Sequence, residues 1–404
     1  MNHNDSIQHS SRMPAEETMP IQDGYVSVTA LSTAANFIMN RQEPFTHTYR
    51  AYIRAQASGR LKLRLWHSNA VDSTWDKGQD AAGGEPGGRW RIEAAYIGDG
   101  GLEPDGTLDP AKLYPVTFGG SGSKEVEPGE KFSSDEVTVD LEEGHYLVFS
   151  WTLTSPEPGK SFPYNVEDLL ASAYDAPGTL ADQASAEGFQ HSAKILVLPS
   201  LIGCSRPEAR NLIMLGDSIT QGVRTAKDAY EYWAARISAE LGPDYGVWNI
   251  GSGWGRAYDA AAENSPWLYK AKFADEMLMM LGVNDLDIGE RSADELWEDL
   301  TTIISRVKAF NPDMKIMLST VPPFNFAENR EKEWRSINER ILNEPPAGAD
   351  RVFNVGDTLS CAKPEDHRIQ AKYMSNEFDP HPNGAAGAAV AEAFLKWYRA
   401  GRIE

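Results

Sequence analysis

A chain of 404 residues is too long for one comfortable core and is expected to divide into two domains. Its formal charge of −21 disfavours nucleic acid and anionic membrane surfaces as partners, since both repel it at long range. Apolar residues at 41% and charged residues at 24% are the proportions of a globular protein, and no apolar run approaches the roughly 20 residues that span a bilayer.

The first 23 residues are polar and lack the apolar core of a secretion signal, so residues 1–23 read as a disordered lead-in. The two cysteines, Cys204 and Cys361, are far apart, which fits a reduced, cytoplasmic setting; a single bridge between them is the alternative. From about Gly24 to residue 203 the pattern is short and alternating. Leu61, Leu63 and Leu65 share one face of a strand, and Val137 to Leu141 repeats the period of two. Gly/Pro-rich separators at Ala81 to Gly88 and Glu127 to Glu130 punctuate these runs, as in a β-sandwich or jelly roll.

After a linker at Cys204 to Ala209 the rhythm changes, and residues 204–404 form a second domain. Continuous apolar runs alternate there with helical stretches at Ala229 to Leu241, Ala293 to Phe310, Arg330 to Leu342 and Ala385 to Tyr398. This is the pattern of an α/β sheet covered on both faces. Ser292 with Glu295 three residues on predicts a capping box, and Asn383 is a second helix start signal.

Four segments of this half carry chemistry. In Leu212 to Gly222 (LIMLGDSITQG) a buried strand stops at Gly216-Asp217-Ser218 and places one hydroxyl at the lip of the sheet. Gly, Asp and Ser are also ordinary residues of a strand-to-helix turn, so the tripeptide alone says little. Val247 to Gly251 is a second apolar strand ending in glycine, Met277 to Asp285 (MLMMLGVND) is a third, and Phe378 to Gly384 (FDPHPNG) adds an acid and a histidine. His381 lies between two prolines, and the residue before a proline is held extended. No histidine has a zinc-site spacing, and Glu365-Asp366-His367 reads as a solvated loop, so no metal is expected.

Together, over roughly residues 211 to 400, these segments resemble the blocks of the SGNH (GDSL-type) hydrolases. Thr320 to Phe324 and Arg335 to Asn338 resemble the family's connecting pieces. Pro115 to Gly120, Ser133 to Asp135 and Tyr146 to Ser150 resemble the β-domain that some members carry upstream. The resemblance implies a flavodoxin-like, three-layer α/β/α fold and an acyl-transfer site. In it Ser218 is the nucleophile and His381 the general base, while the backbone N–H groups of Ser218 and Gly251 and the amide of Asn284 are the oxyanion donors. The family spaces acid and histidine as D-x-x-H, whereas here Asp379-Pro380-His381 leaves one residue between them. Asp379 is the expected acid, with Glu377 or a backbone carbonyl as alternatives. The glycine block, NIGSGWGR from Asn249, also departs from the usual N-x-G-x-x-G around Gly253 and Gly255. Asp217 is expected to fix the loop around Ser218. Trp254 and Trp267 are candidates to line the substrate pocket, or else packing residues.

The implied reaction is hydrolysis of a short acyl ester, acetyl foremost, on a small molecule or oligosaccharide, without a cofactor. A lysophospholipase or thioesterase is the alternative within hydrolases, and a glycan-binding protein on an inactive scaffold the alternative outside them. The sequence leaves the oligomeric state open.

Overall fold

The computed structural model describes residues 19–75, 81–166 and 170–401. In the N-terminal part, the strand Tyr146–Ser155 pairs antiparallel along its whole length with Phe45–Arg54 on one side and, from Leu147 to Thr154, with Trp90–Asp99 on the other. These three form the centre of a seven-stranded sheet. A five-stranded sheet built on Gly59–Ser68 faces it, and rings from both meet in the core, with Trp90 6.1 Å from Trp151 and 6.3 Å from Phe132. Leu61, Leu63 and Leu65 are buried while Lys62 between them is exposed, which is the expected alternation. Nearly all of Tyr146–Ser155 is buried, and on its outer side Tyr146 and Val148 join Tyr52, Leu108 and Tyr174 in a second apolar cluster. A three-stranded sheet, Phe37–Arg41, Gly159–Val166 and Ile195–Leu196, completes this β-domain.

Two boundaries differ from expectation. Residues 19–23 were expected within the lead-in, but Pro20–Asp23 form a 3₁₀ turn with Met19 and Ile21 buried; residues 1–18 lie outside the described residues. Cys204 is not in a linker. The strand Leu201–Ser205 pairs with Tyr25–Ser27 and Gly59–Ser68, so the connection shortens to residues 206–209. Cys204 and Cys361 are both free thiols.

Beyond the connection lie five parallel strands: β1 (Arg210–Gly216), β2 (Tyr245–Asn249), β3 (Glu276–Met280), β4 (Lys315–Ser319) and β5 (Arg351–Phe353). Their order in the sheet is 2-1-3-4-5, the flavodoxin-like order, whose ligand crevice lies where the winding reverses between β1 and β3. Apart from polar residues at their ends the strands are apolar, because helices cover both faces. Ala293–Phe310 starts at the expected Ser292/Glu295 capping box, and the Asn383 side chain accepts from Ala386 N at 3.0 Å to start Gly384–Ala400. The helix expected from Ala229 begins at Trp233, since Asp228 and Tyr230 have φ of 61° and 51° and cannot join a right-handed helix. Among the described residues no helix is long and apolar enough to cross a membrane.

The two domains share one continuous core. Tyr25–Ser27 lies against β2 so closely that a Cβ on Gly246 would come within 2.3 Å of the Val26 side chain. Trp66 of the β-domain packs against Trp248 and Tyr269 of the other, with ring centroids 6.4 and 6.3 Å away. Within this contact Lys270 Nζ donates to Asp72 Oδ2 at 2.6 Å, and both side chains are 0% exposed. Burial pushes the Asp72 carboxyl up, and the Lys270 ammonium opposes it. Deleting one member of such a pair strands the other charge, at a cost of about 3–5 kcal/mol. Lys270→Met is therefore expected to lower the unfolding free energy by about that much in a urea titration. The double variant Asp72→Asn, Lys270→Met is expected to lose less than Lys270→Met alone; an equal loss would contradict the stranded-charge account.

Candidate active site

Strand β1 ends at Gly216, where a Cβ would lie 2.0 Å from Thr220 Oγ1 and 2.8 Å from the Met280 carbonyl; only glycine permits so tight a turn. Asp217 caps the short helix Ser218–Gln221 through Oδ1, which accepts from Ile219 N at 2.9 Å. The helix closes on Gly222 at φ 108°. Asp217 thus holds the loop around Ser218 by hydrogen bonding. Ser218, 6% exposed, opens that helix.

The Ser218 hydroxyl lies 3.0 Å from His381 Nε2. On the other side of the ring Nδ1 is 2.6 Å from Asp379 Oδ1, and the same oxygen accepts from His381 N at 3.0 Å. The one-residue spacing closes because the carboxylate folds back across Pro380 onto both the ring and the peptide of His381. Glu377 is exposed, and Asp379 takes the position at Nδ1. Asn376 Oδ1 accepts from Phe378 N and Asp379 N at 2.9 and 3.1 Å, and Ser375 N donates to the His381 carbonyl at 2.8 Å, which fixes the loop. The Phe324 ring stands edge-on to His381 with centroids 5.0 Å apart.

Arg224 completes this row, its Nε donating to Asp379 Oδ2 at 2.8 Å. Burial works against the Asp379 charge, but Arg224 and the His381 amide and ring outweigh it and bring the carboxyl down to about 2. Nothing in the sequence marked Arg224. It reaches Asp379 across 155 positions, and no local spacing signals such a contact.

The glycine block is placed differently from expectation. A Cβ on Gly251 would lie 2.3 Å from Gln221 N, so the glycine serves the close approach of this loop to the Ser218 helix. Its N–H, expected to be an open oxyanion donor, donates to Asn249 Oδ1 at 2.9 Å, while Asn249 Nδ2 holds the Thr220 carbonyl at 2.9 Å. Ser252 N and Gly255 N are also taken, by the carbonyls of Gly216 and Ser252. Among the described residues no acceptor meets the N–H of Gly253 or Trp254, and Trp254 is left-handed at φ 59°. Asn284 stands just past β3 and donates from Nδ2 to the Gly255 carbonyl at 3.1 Å. An amide has a second N–H to give.

The Trp254 ring is half-buried and 6.2 Å from Phe37, a β-domain residue that itself lies 6.0 Å from Tyr164. Trp267 is a packing residue, fully buried with its N–H on the Ile250 carbonyl at 2.7 Å. Asp366 and His367 belong to an ion-pair network with Arg335. Among the described residues Asp99, Glu142 and His145 converge closely enough to hold a cation, and the Lys112 ammonium already pairs with Asp99 and Glu142 there.

Residues 214–388 match the model of the GDSL-like lipase/acylhydrolase family. The chain carries a domain of that family and is a hydrolase. No curated protein matches the chain in sequence. Among solved structures it is similar to a family two carbohydrate esterase from Clostridium thermocellum in complex with cellohexaose, at 12% identity and TM-score 0.38, over 93% of this chain and 98% of that one. It is also similar to a family two carbohydrate esterase from Cellvibrio japonicus (12%, TM-score 0.36, 93% and 96%). A third is a carbohydrate esterase family 3 protein from Talaromyces cellulolyticus (19%, TM-score 0.35, 48% and 98%).

Two buried acids stand behind the site. Burial, helped by the charge of Asp285, pushes Asp217 up to about 7, although Ile219 N opposes it. Burial likewise pushes Asp285 up to about 6, against the bonds it accepts from Ala257 N and Tyr258 N. In the unfolded chain Asp217 loses its proton near its ordinary value of 3.8, whereas the folded protein keeps it to about 7. Across that window the folded state binds more protons, so stability falls as pH rises. Asp217→Asn keeps the acceptor for Ile219 N and removes the titration. Its unfolding free energy is expected to vary less with pH between about 4 and 7, the difference approaching ~1.4 kcal/mol per pH unit. Parallel profiles of variant and wild type in urea titrations would refute this.

Proposed function

We propose that this protein is a serine esterase that removes short acyl groups, acetyl foremost, from carbohydrate esters. The observation that carries the reading is the continuous row Ser218 Oγ, His381 Nε2, His381 Nδ1, Asp379 Oδ1, with contacts of 3.0 and 2.6 Å. His381 takes the Ser218 proton as the oxygen attacks the ester carbonyl, then returns it to the leaving alcohol; water repeats the cycle on the acyl-enzyme. Asp379, held ionised by Arg224, orients the ring and stabilises the imidazolium. The donors for the oxyanion are the Ser218 amide, the free N–H of Asn284, and the open amides at Gly253 and Trp254 in place of Gly251. The small exposure of Ser218 favours a small acyl group, and the half-buried Trp254 beside Phe37 offers the aromatic surface that sugar rings pack against.

Ser218→Ala is expected to lower kcat on p-nitrophenyl acetate by ~10³ or more. Asn284→Ala is expected to lower it by ~10² to 10³ with little change in KM; a loss confined to KM would move Asn284 into substrate binding. Asp379→Asn is expected to cost up to ~10⁴ in kcat and Glu377→Gln almost nothing, and the reverse order would reassign the orienting acid.

A further inference from the structure

Arg224 reaches the far oxygen of Asp379 from the loop that joins the Ser218 helix to Trp233, and that loop is bent against its own preferences. Arg224, Asp228 and Tyr230 all have positive φ, at 71°, 61° and 51°. A left-handed backbone is unfavourable at a residue with a Cβ, so three such residues in one short loop persist only where the surroundings hold them.

The holding groups belong to the β-domain and converge on Asp228. Its N–H donates to the Leu170 carbonyl at 2.9 Å, and its carbonyl accepts from Arg54 Nε at 3.1 Å. Its carboxylate spans one residue, with Oδ1 accepting from Ser172 N at 2.8 Å and Oδ2 from Ser172 Oγ at 2.7 Å. Nearby, the Tyr230 hydroxyl accepts from Arg54 N at 2.9 Å. Arg54 ends the strand Phe45–Arg54, and Ser172 leads into Ala173–Pro177, which pairs with that strand. Both halves of the clamp are therefore fixed by one sheet.

The other side of the loop presses on the segment that carries His381. Glu231 Oε1 accepts from Ala226 N at 2.9 Å, and a Cβ on Gly384 would lie 2.3 Å from the Glu231 carboxyl carbon. Gly384 opens the helix that follows His381. The loop is thus wedged between the β-domain and the histidine segment, with Arg224 bonded to Asp379 at 2.8 Å. An arginine–carboxylate bond is directional, so it survives only while the backbone beneath the arginine stays in place. We propose that Asp228 is a positioning residue for the triad. By fastening this loop to Ser172 it keeps Arg224 on Asp379, and it makes the β-domain a determinant of the catalytic rate; the inference rests on the serine-esterase reading of Ser218.

A double-mutant cycle on the full-length protein tests it, read as kcat and KM on p-nitrophenyl acetate. Asp228→Ala is expected to lower kcat about tenfold with KM changed by less than about twofold, since a misplaced supporting group shows in the chemical step. Asp228→Asn is expected to restore most of the rate, because an amide keeps both contacts to Ser172 and asparagine tolerates the left-handed backbone. Ser172→Ala removes one hydroxyl and leaves the peptide contact to Asp228; it is expected to lower kcat about threefold, and it decides alone if Asp228→Ala does not fold. In an Arg224→Met background neither Asp228→Ala nor Ser172→Ala is expected to lower kcat further. Losses of equal size in both backgrounds, a loss confined to KM, no recovery in Asp228→Asn, or wild-type kcat in the Ala variants would overturn the positioning role and leave the esterase reading standing. A wild type without activity on the ester would overturn both.

Discussion

The structure turns on the grip of the β-domain on the loop that follows β2. Ser32 Oγ donates to the Gly251 carbonyl at 2.6 Å, and Thr33 N donates to the Asn249 carbonyl at 3.2 Å. Farther along, the Ser73 carbonyl accepts from Ser252 Oγ at 2.9 Å, and the Ser73 hydroxyl accepts from Arg256 N at 3.1 Å while donating to Asp259 Oδ2 at 2.5 Å. The buried Asp72–Lys270 pair lies one residue from Ser73 and locks the same segment. An irregular loop in the middle of a protein has to find partners for its peptide groups, or lose about 1–3 kcal/mol for each one left buried and unpaired. Here the partners come from the other domain. The β-domain is thus part of the wall of the crevice rather than an appendage to it, and the positions of Gly253, Trp254 and Gly255 depend on it.

A second constraint sorts the carboxylates near the site by environment. Asp217 and Asp285 are enclosed, and burial pushes both of them up toward neutrality; they shape loops by accepting N–H bonds. Asp379 sits within reach of Arg224 and stays ionised down to about 2. Only an ionised acid both orients an imidazole and stabilises its charged form, which supports the role proposed for Asp379 beside His381. The arginine also holds the far oxygen of Asp379, which leaves the near one aimed at Nδ1 despite the short spacing to the histidine.

Much of this was legible in the sequence because it is written in short range. The alternation around Leu61 to Leu65, the apolar run ending in Gly216, and the caps at Ser292 and Asn383 all depend on neighbours a few residues away. The pairing of Asp379 with His381 was readable for the same reason. What escaped depends on contacts across the chain or on the direction of a single peptide group. The Gly251 amide points at Asn249 rather than into the crevice, and a glycine in a pattern does not reveal which way its N–H faces. Arg224 and Ser73 have no local signature, since their partners lie 155 and 186 positions away at Asp379 and Asp259. Trp267 looked the same as Trp254 until packing separated them, one into the core and one to the rim.

The claim on which the account rests is that Ser218 is the nucleophile, and covalent capture tests it most directly. The protein would be treated with a p-nitrophenyl alkylphosphonate, and the modified residue located by peptide mass spectrometry alongside the remaining esterase activity. The account predicts one phosphonyl group per chain, on Ser218, with activity lost in proportion to labelling. Full inactivation with Ser218 unmodified, or full labelling of Ser218 with activity retained, would contradict it.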